Sequence, residues 1–232
     1  EVGPSGDTAD PDVFKTDADE KDVEQFQWFK QWYPLRAVDF LDASRPHAVQ
    51  LLGRELVLWN DGSTWQCYED ACPHRMAPLS EGRIESDGSL LCAYHAWRFA
   101  GADGKCVSIP QSDAMVREKH MGSPMACAKS YPVTVAQDMI FVWPESGPDA
   151  VAAAAAQPPP LVPEMEDVEL VTAGRVRPLT VNIRDLPYSW DMFFENVVDA
   201  AHVPVSHHGL VGNRYTGAQP LNFKSLRPVT TK

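Results

Sequence analysis

Between Phe26 and Pro144 the chain alternates short apolar runs with turn residues, and the runs have the length of strands. Val49-Gln50-Leu51-Leu52-Gly53-Arg54-Glu55-Leu56-Val57-Leu58-Trp59 predicts a hairpin, and Asp61-Gly62 turns it into a further strand that ends at Cys67-Tyr68-Glu69-Asp70. Leu90-Leu91 predicts another strand. Gly101-Ala102-Asp103-Gly104 reads as the turn of a hairpin running into Cys106-Val107-Ser108-Ile109, and Met139-Ile140-Phe141-Val142-Trp143-Pro144 as the last strand of this part. The period changes further on. From Asp191 to His207 apolar residues recur with helical spacing, and Leu186-Pro187 is a plausible helix start. Pro204 disfavours helical geometry at Val203, so the helix is expected to end or bend there. Between the two parts, residues 145–163 hold an alanine run and Pro158-Pro159-Pro160, which read as a linker; the proline flank favours a surface insertion over a helix. Residues 1–24 are acidic and poor in large apolar residues, and are expected to be disordered.

Composition narrows the function classes. A chain of 232 residues that is 44% hydrophobic can bury one good core and part of a second. A net charge of −12 argues against nucleic acid as a partner and against polybasic contact with a membrane. No apolar run is long enough to span a bilayer. The acidic start is unlike a transit peptide, which is rich in Arg and Ser and short of acids. Five cysteines provide no disulfide framework and fit a reducing compartment.

Two Cys/His pairs carry the chemistry. Cys72-Pro73-His74 and Cys92-Ala93-Tyr94-His95 form C-x-H-x17-C-x2-H, the spacing of a Rieske [2Fe–2S] centre. There two thiolates hold one iron and two neutral imidazoles the other, which raises the cluster's potential and makes it an electron relay. A Cys2His2 zinc site uses the same donors, but usually spaces like ligands together; here each loop has one of each. Cys67, Cys106 and Cys127 remain outside the motif and are expected to be buried.

The helical segment contains N-x2-D-x2-H-x4-H, formed by Asn196, Asp199, His202 and His207. Asn196, Asp199 and His202 sit three apart and are expected on one helix face. The break at Pro204 would let His207 swing toward His202. Two histidines and a carboxylate are the protein half of a non-haem Fe(II) site with open positions. His208 reads as an ordinary histidine.

With both constellations in one chain, the sequence resembles the Rieske non-haem iron oxygenases, and within them the pheophorbide a oxygenase and Tic55-like group of chloroplasts. The likeness runs from about Phe26 to Lys232. It is carried by Trp32-Tyr33-Pro34-Leu35, by Tyr68 to Ile84, by Tyr94-His95-Ala96-Trp97, by Gly104 to Gln111, by Arg184-Asp185-Leu186-Pro187-Tyr188 and by the two metal motifs. Ala77 and Tyr94 stand where Rieske proteins of cytochrome complexes have a disulfide, which favours the oxygenase or ferredoxin branch. The family usually has Gly where this chain has Ala96, and its group commonly has Pro at Ala200. If position 96 needs a positive φ, alanine there costs on the order of 1 kcal/mol.

The resemblance implies an α+β chain: an all-β Rieske domain over residues 26–144, then the start of a helix-grip-like catalytic domain over residues 164–232, expected to be incomplete at its C-terminus. It makes Cys72, His74, Cys92 and His95 the [2Fe–2S] ligands, and His202 and His207 ligands of a mononuclear Fe(II) whose third, carboxylate ligand lies beyond Lys232. It gives Asp199 the role of bridging a cluster histidine of one subunit and an iron histidine of the next, and hence implies a homotrimer. Further implications are a ferredoxin electron donor, O2 and a chlorophyll-derived tetrapyrrole as substrates, and a chloroplast location, with any membrane anchor outside this stretch. The foremost expected reaction is opening of the pheophorbide a macrocycle. The alternatives are a Tic55-like, protochlorophyllide or chlorophyllide a oxygenase activity, a redox-sensing import component, and a pure electron-transfer protein.

Overall fold

Strand β1 (Tyr33–Ala37) leads to a hairpin of β2 (His47–Leu51) and β3 (Arg54–Asn60), and β4 (Trp65–Glu69) follows. The computed structural model describes residues 26–176 and 186–220. The acidic start, Arg184-Asp185 and residues 221–232 lie outside the described residues. Gln27–Ala218 forms one unit. The β2–β3 turn is tight because Leu52 and Gly53 both take positive φ, at 49° and 77°, the backbone that matches the twist of paired strands.

Four short strands come next: β5 (Arg83–Ile84), β6 (Leu90–Leu91), β7 (Arg98–Ala100) and β8 (Lys105–Ser108). Helix α1 (Ala114–Met121) separates them from β9 (Ser130–Tyr131), β10 (Val133–Ala136) and β11 (Met139–Val142). These make three antiparallel sheets, ordered β1-β11-β10, β2-β3-β4-β9 and β5-β6-β7-β8. The third sheet is thus an insertion between β4 and β9, which pair directly through Cys67 and Tyr131. Gly82 seats the insertion. A Cβ there would stand 2.0 Å from the Leu91 carbonyl, so only glycine lets β5 approach the end of β6.

The core has three parts. Under the inserted sheet, Val57, Trp59, Tyr68, Leu79, Leu90, Phe99 and Ile109 pack with Cys72, Cys92 and Cys106. Val49, Leu56, Leu58, Cys67, Tyr131, Ile140 and Val142 fill the second part. Cys67 and Cys106 are buried as expected, and Cys127 is half-buried.

The third part corrects the linker reading of residues 145–163. Helix α2 (Pro148–Ala156) occupies much of that stretch, and its Ala150 and Ala154 are buried against Trp32, Phe141 and Trp143. Alanine is the best helix former, Pro148 sits in the first turn where a missing N–H is harmless, and the small Cβ atoms let two indoles approach. The Trp32 indole N–H donates to the Ala154 and Gln157 carbonyls at the end of α2.

Beyond it lie α3 (Pro163–Glu166), α4 (Val168–Thr172), α5 (Trp190–Val198) and α6 (Val203–Ser206). Among the described residues of 164–232 no sheet forms; the one strand-like pairing is an isolated bridge from His208 to Gly212. No helix among the described residues is long and apolar enough to cross a membrane.

Candidate metal centres

The loop between β4 and β5 carries Cys72 and His74, and the loop between β6 and β7 carries Cys92 and His95. Their backbones match. The Cys72 N–H donates to the Ala77 carbonyl at 2.8 Å, and the Met76 N–H donates back to the Cys72 carbonyl at 2.7 Å. In the other loop the Cys92 N–H donates to Trp97 at 2.8 Å and the Ala96 N–H to Cys92 at 3.0 Å. Histidine stands two places after cysteine in the first loop and three in the second. This offset brings the His74 and His95 rings to 4.6 Å, edge to face, while both cysteines sit buried beneath. Asp70 braces the first loop by accepting from the N–H and hydroxyl of Ser80 at 2.7 and 2.6 Å.

Electrostatics fit a metal-bound sulfur. Burial pushes the Cys72 thiol up to about 12, helped by the neighbouring Cys92 thiol, while the backbone N–H groups of His74 and Arg75 point at its sulfur and oppose the shift. A thiol so placed ionises only when a cation takes its proton's place. Burial, with His95 and Arg75 alongside, pulls the His74 imidazole below its ordinary value, toward the neutral form that binds metal. The His74 Nδ1 is buried and has no hydrogen-bond partner. An orphaned nitrogen beside a second imidazole, above two facing thiols, fits a binuclear cluster. Among the described residues no group of three or more His, Cys, Asp or Glu side chains is gathered around one point.

The second constellation differs in part from the sequence expectation. Helix α5 starts at Trp190, after Ser189, rather than at Leu186-Pro187, and stops at Val198. Asp199 leaves helical geometry at ψ 84°, and a 3-10 turn over Ala200–His202 follows. Asn196, Asp199 and His202 therefore do not share one helix face. The break is one turn earlier than expected, because the Asp199 carboxylate captures the Ala201 N–H at 2.9 Å and caps a new turn. Nor does Pro204 end a helix: Val203 is helical at φ −56° and ψ −52°, and Pro204 lies in the first turn of α6. Proline is tolerated there because that N–H has no helical partner to lose.

The outcome still pairs the two histidines, whose rings lie 5.4 Å apart. The His202 Nδ1 contacts the Asp199 backbone carbonyl and lies 3.7 Å from its carboxylate. With Nδ1 donating to that carbonyl, Nε2 would be left with its lone pair free for a metal. His208 faces elsewhere, accepting the Arg214 N–H and meeting the Tyr215 ring. Helix α5 exposes Trp190, Met192, Phe194 and Val197 by half or more. Sequence reasoning quoted Trp97 without giving it a role; its indole lies flat on the His74 ring at 4.7 Å and 3°.

Residues 31–132 match the Rieske [2Fe–2S] domain family. The chain is 42% identical over 209 residues to pheophorbide a oxygenase of Arabidopsis thaliana, covering 88% of this chain and 37% of that protein. It is 37% identical over 200 residues to flavonoid 8-hydroxylase 2 of Ocimum basilicum (83% and 36% covered), and 36% identical over 220 residues to TIC 55 of Arabidopsis thaliana (92% and 37% covered). All three names carry the word chloroplastic. The chain thus spans about 37% of the length of the pheophorbide a oxygenase that it matches. Among solved structures, NdmA of Pseudomonas putida CBB5 shares the fold with a TM-score of 0.58 at 23% identity, over 83% of this chain and 54% of that one.

Proposed function

From a chain that carries a Rieske [2Fe–2S] domain and is a sequence relative of pheophorbide a oxygenase and TIC 55, we propose that it forms the electron-delivering part and the opening of the catalytic part of a chloroplast Rieske oxygenase. The observation that carries this reading is the pair of matched loops, with two buried thiols below and two imidazoles above, one with an unpartnered buried nitrogen. Cys72 and Cys92 would hold one iron of the cluster, and His74 and His95 the other. His202 and His207 would hold a mononuclear iron with a carboxylate from a later residue. When bound, the cluster supplies single electrons and the mononuclear iron a site for O2 chemistry.

The residues around these sites have definable tasks. The N–H groups of His74 and Arg75 stabilise charge on the Cys72 sulfur. Asp199, half-exposed in this chain, remains free to reach a cluster histidine of a neighbouring subunit while it borders His202. That geometry supports the bridging role; the homotrimer is proposed from the family resemblance. The exposed apolar residues of α5 support the assignment of residues 164–232 to a larger catalytic domain. A ferredoxin is the proposed electron donor.

A chlorophyll-derived tetrapyrrole is the proposed substrate, with opening of the pheophorbide a macrocycle as the reaction. The likeness to a flavonoid hydroxylase makes flavonoids the comparison substrate, and the likeness to TIC 55 makes a redox component the second reading. Oxygen uptake by the full-length, iron-loaded protein decides among them. Consumption coupled to pheophorbide a supports the proposal. Consumption with a flavonoid alone overturns the substrate assignment, and a reducible cluster with no substrate-dependent uptake supports the redox component.

A further inference from the structure

We propose that Trp97 is a positioning residue for His74, setting the ring plane of a cluster ligand carried by the opposite loop; this rests on the reading of His74 as a ligand. Ligand histidines are ordinarily oriented by a hydrogen bond to the ring nitrogen that does not bind metal. For His74 the ring plane is set by packing. The Trp97 indole lies parallel to the imidazole, 3° from it in plane and 4.7 Å away, and the His95 ring meets it edge-on at 71°.

Trp97 is well placed to be the fixed partner. Its carbonyl closes the second loop by accepting the Cys92 N–H, and its side chain packs against the core that contains Cys72 and Cys92. His74 sits on the tip of the first loop, two residues before Met76 at 69% exposure. One side chain therefore ties the two loops together above the thiols.

The matched loops show why only one ligand is held this way. The position equivalent to Trp97 in the first loop is Ala77, too short to reach across. His95 instead leans on its neighbour Tyr94, which is 63% exposed and tilted by 41°. The two imidazoles are inequivalent: His74 is held by a half-buried ring rooted in the core, whereas the ring beside His95 is tilted, solvent-exposed and too loosely packed to fix it.

The experiment compares Trp97→Leu, Trp97→Phe and Tyr94→Leu in the cluster-loaded chain, by iron and sulfide content, the electron paramagnetic resonance of the reduced protein, the rate of cluster loss, and melting of the apo form. Trp97→Leu should shift the g-values and speed cluster loss roughly fivefold, the size expected for losing one aromatic pair. Trp97→Phe, which keeps a flat ring, should restore both, and Tyr94→Leu should leave the g-values unchanged. Wild-type g-values and retention in Trp97→Leu, whatever its melting temperature, would overturn the proposal. Should Trp97→Leu not fold, Trp97→Met makes the same comparison with an unbranched, flexible side chain that fills irregular gaps more readily. Failure of the underlying reading shows separately, as wild-type protein that holds metal without sulfide.

Discussion

Met76 and Ala96 hold the same place in the two ligand loops and share the same left-handed backbone, φ 57° in each. Each lies four residues after the cysteine that opens its loop, and each donates its N–H back to that cysteine. The tight return that leaves a sulfur and an imidazole on one side of the loop requires this geometry. Neither residue is glycine, so both loops store strain. A left-handed non-glycine residue costs about 1–2 kcal/mol.

Ala96→Gly should therefore stabilise the protein. Relief of the left-handed strain outweighs the extra freedom glycine has in the unfolded chain, leaving about 0.5–1 kcal/mol. For a protein of this size that corresponds to a rise in melting temperature of about 2 °C, with iron content unchanged. Calorimetry of both proteins checks it, and a lower melting temperature in the variant would show that the Ala96 methyl makes a contact worth more than the strain.

The Cys/His spacing was legible because ligand chemistry restricts residue type and separation together. The strands beside it were legible from Leu90-Leu91 and from the turn at Gly101–Gly104, which the structure places between β7 and β8. Helix α1 gave no signal to read. It buries none of its residues, and what organises it is local, the Asp113 carboxylate accepting the Met115 N–H. The break at Asp199 was misplaced for a related reason: proline advertises itself in a sequence, whereas a carboxylate that turns back on the N–H two residues later looks like any helical aspartate. Trp97 was visible as a residue, but its stacking partner belongs to another loop, and contacts of that kind appear only once the chain is folded.

Acid should weaken the scaffold through Asp61. Burial alone would raise this carboxyl, but N–H and hydroxyl groups of Thr64 and Ser63 and the amide of Gln66 hold it down, from 3.8 to about 2. A carboxyl with a depressed folded-state value contributes stability above its unfolded value and loses it as pH falls through the folded one. Its contribution is whole above about pH 4 and disappears toward pH 2. Asp61→Asn keeps most of the acceptor geometry without the charge. Its unfolding free energy should fall less steeply than the wild type's between those pH values, as denaturant titrations at several pH values would reveal. Parallel curves for the two proteins would mean that Asp61 does not couple to folding.

Packing of α2 predicts a contrast between neighbouring alanine-run positions. Ala154 is 4% exposed against Trp32 and Trp143, whereas Val151 on the same helix is 56% exposed. Ala154→Leu would force three extra carbons between the helix and two indoles, at a cost of about 1–3 kcal/mol. Val151→Ala should be close to neutral. Chemical denaturation of both variants tests whether residues 148–156 are part of the core; equal midpoints would return the stretch to the status of a surface insertion.

Asp199 offers the sharpest test of the second centre, because it has two separable tasks. Its carboxylate caps the 3-10 turn through the Ala201 N–H, and it borders the His202 imidazole without a direct bond to it. Asparagine caps as well as aspartate, so Asp199→Asn should preserve the turn and the 5.4 Å approach of His202 and His207. What it removes is the charge proposed to clamp an imidazole N–H from a neighbouring subunit. In the full-length protein, under the proposed function, both metals should stay bound while electron delivery from cluster to mononuclear iron slows at least about tenfold, the lower end of what losing such a partner costs. Asp199→Ala removes the cap too, and should in addition lower the occupancy of the mononuclear iron. Metal analysis with single-turnover kinetics separates the two variants. Loss of that iron in Asp199→Asn would mean that the carboxylate binds the metal itself, and the bridging role would fall.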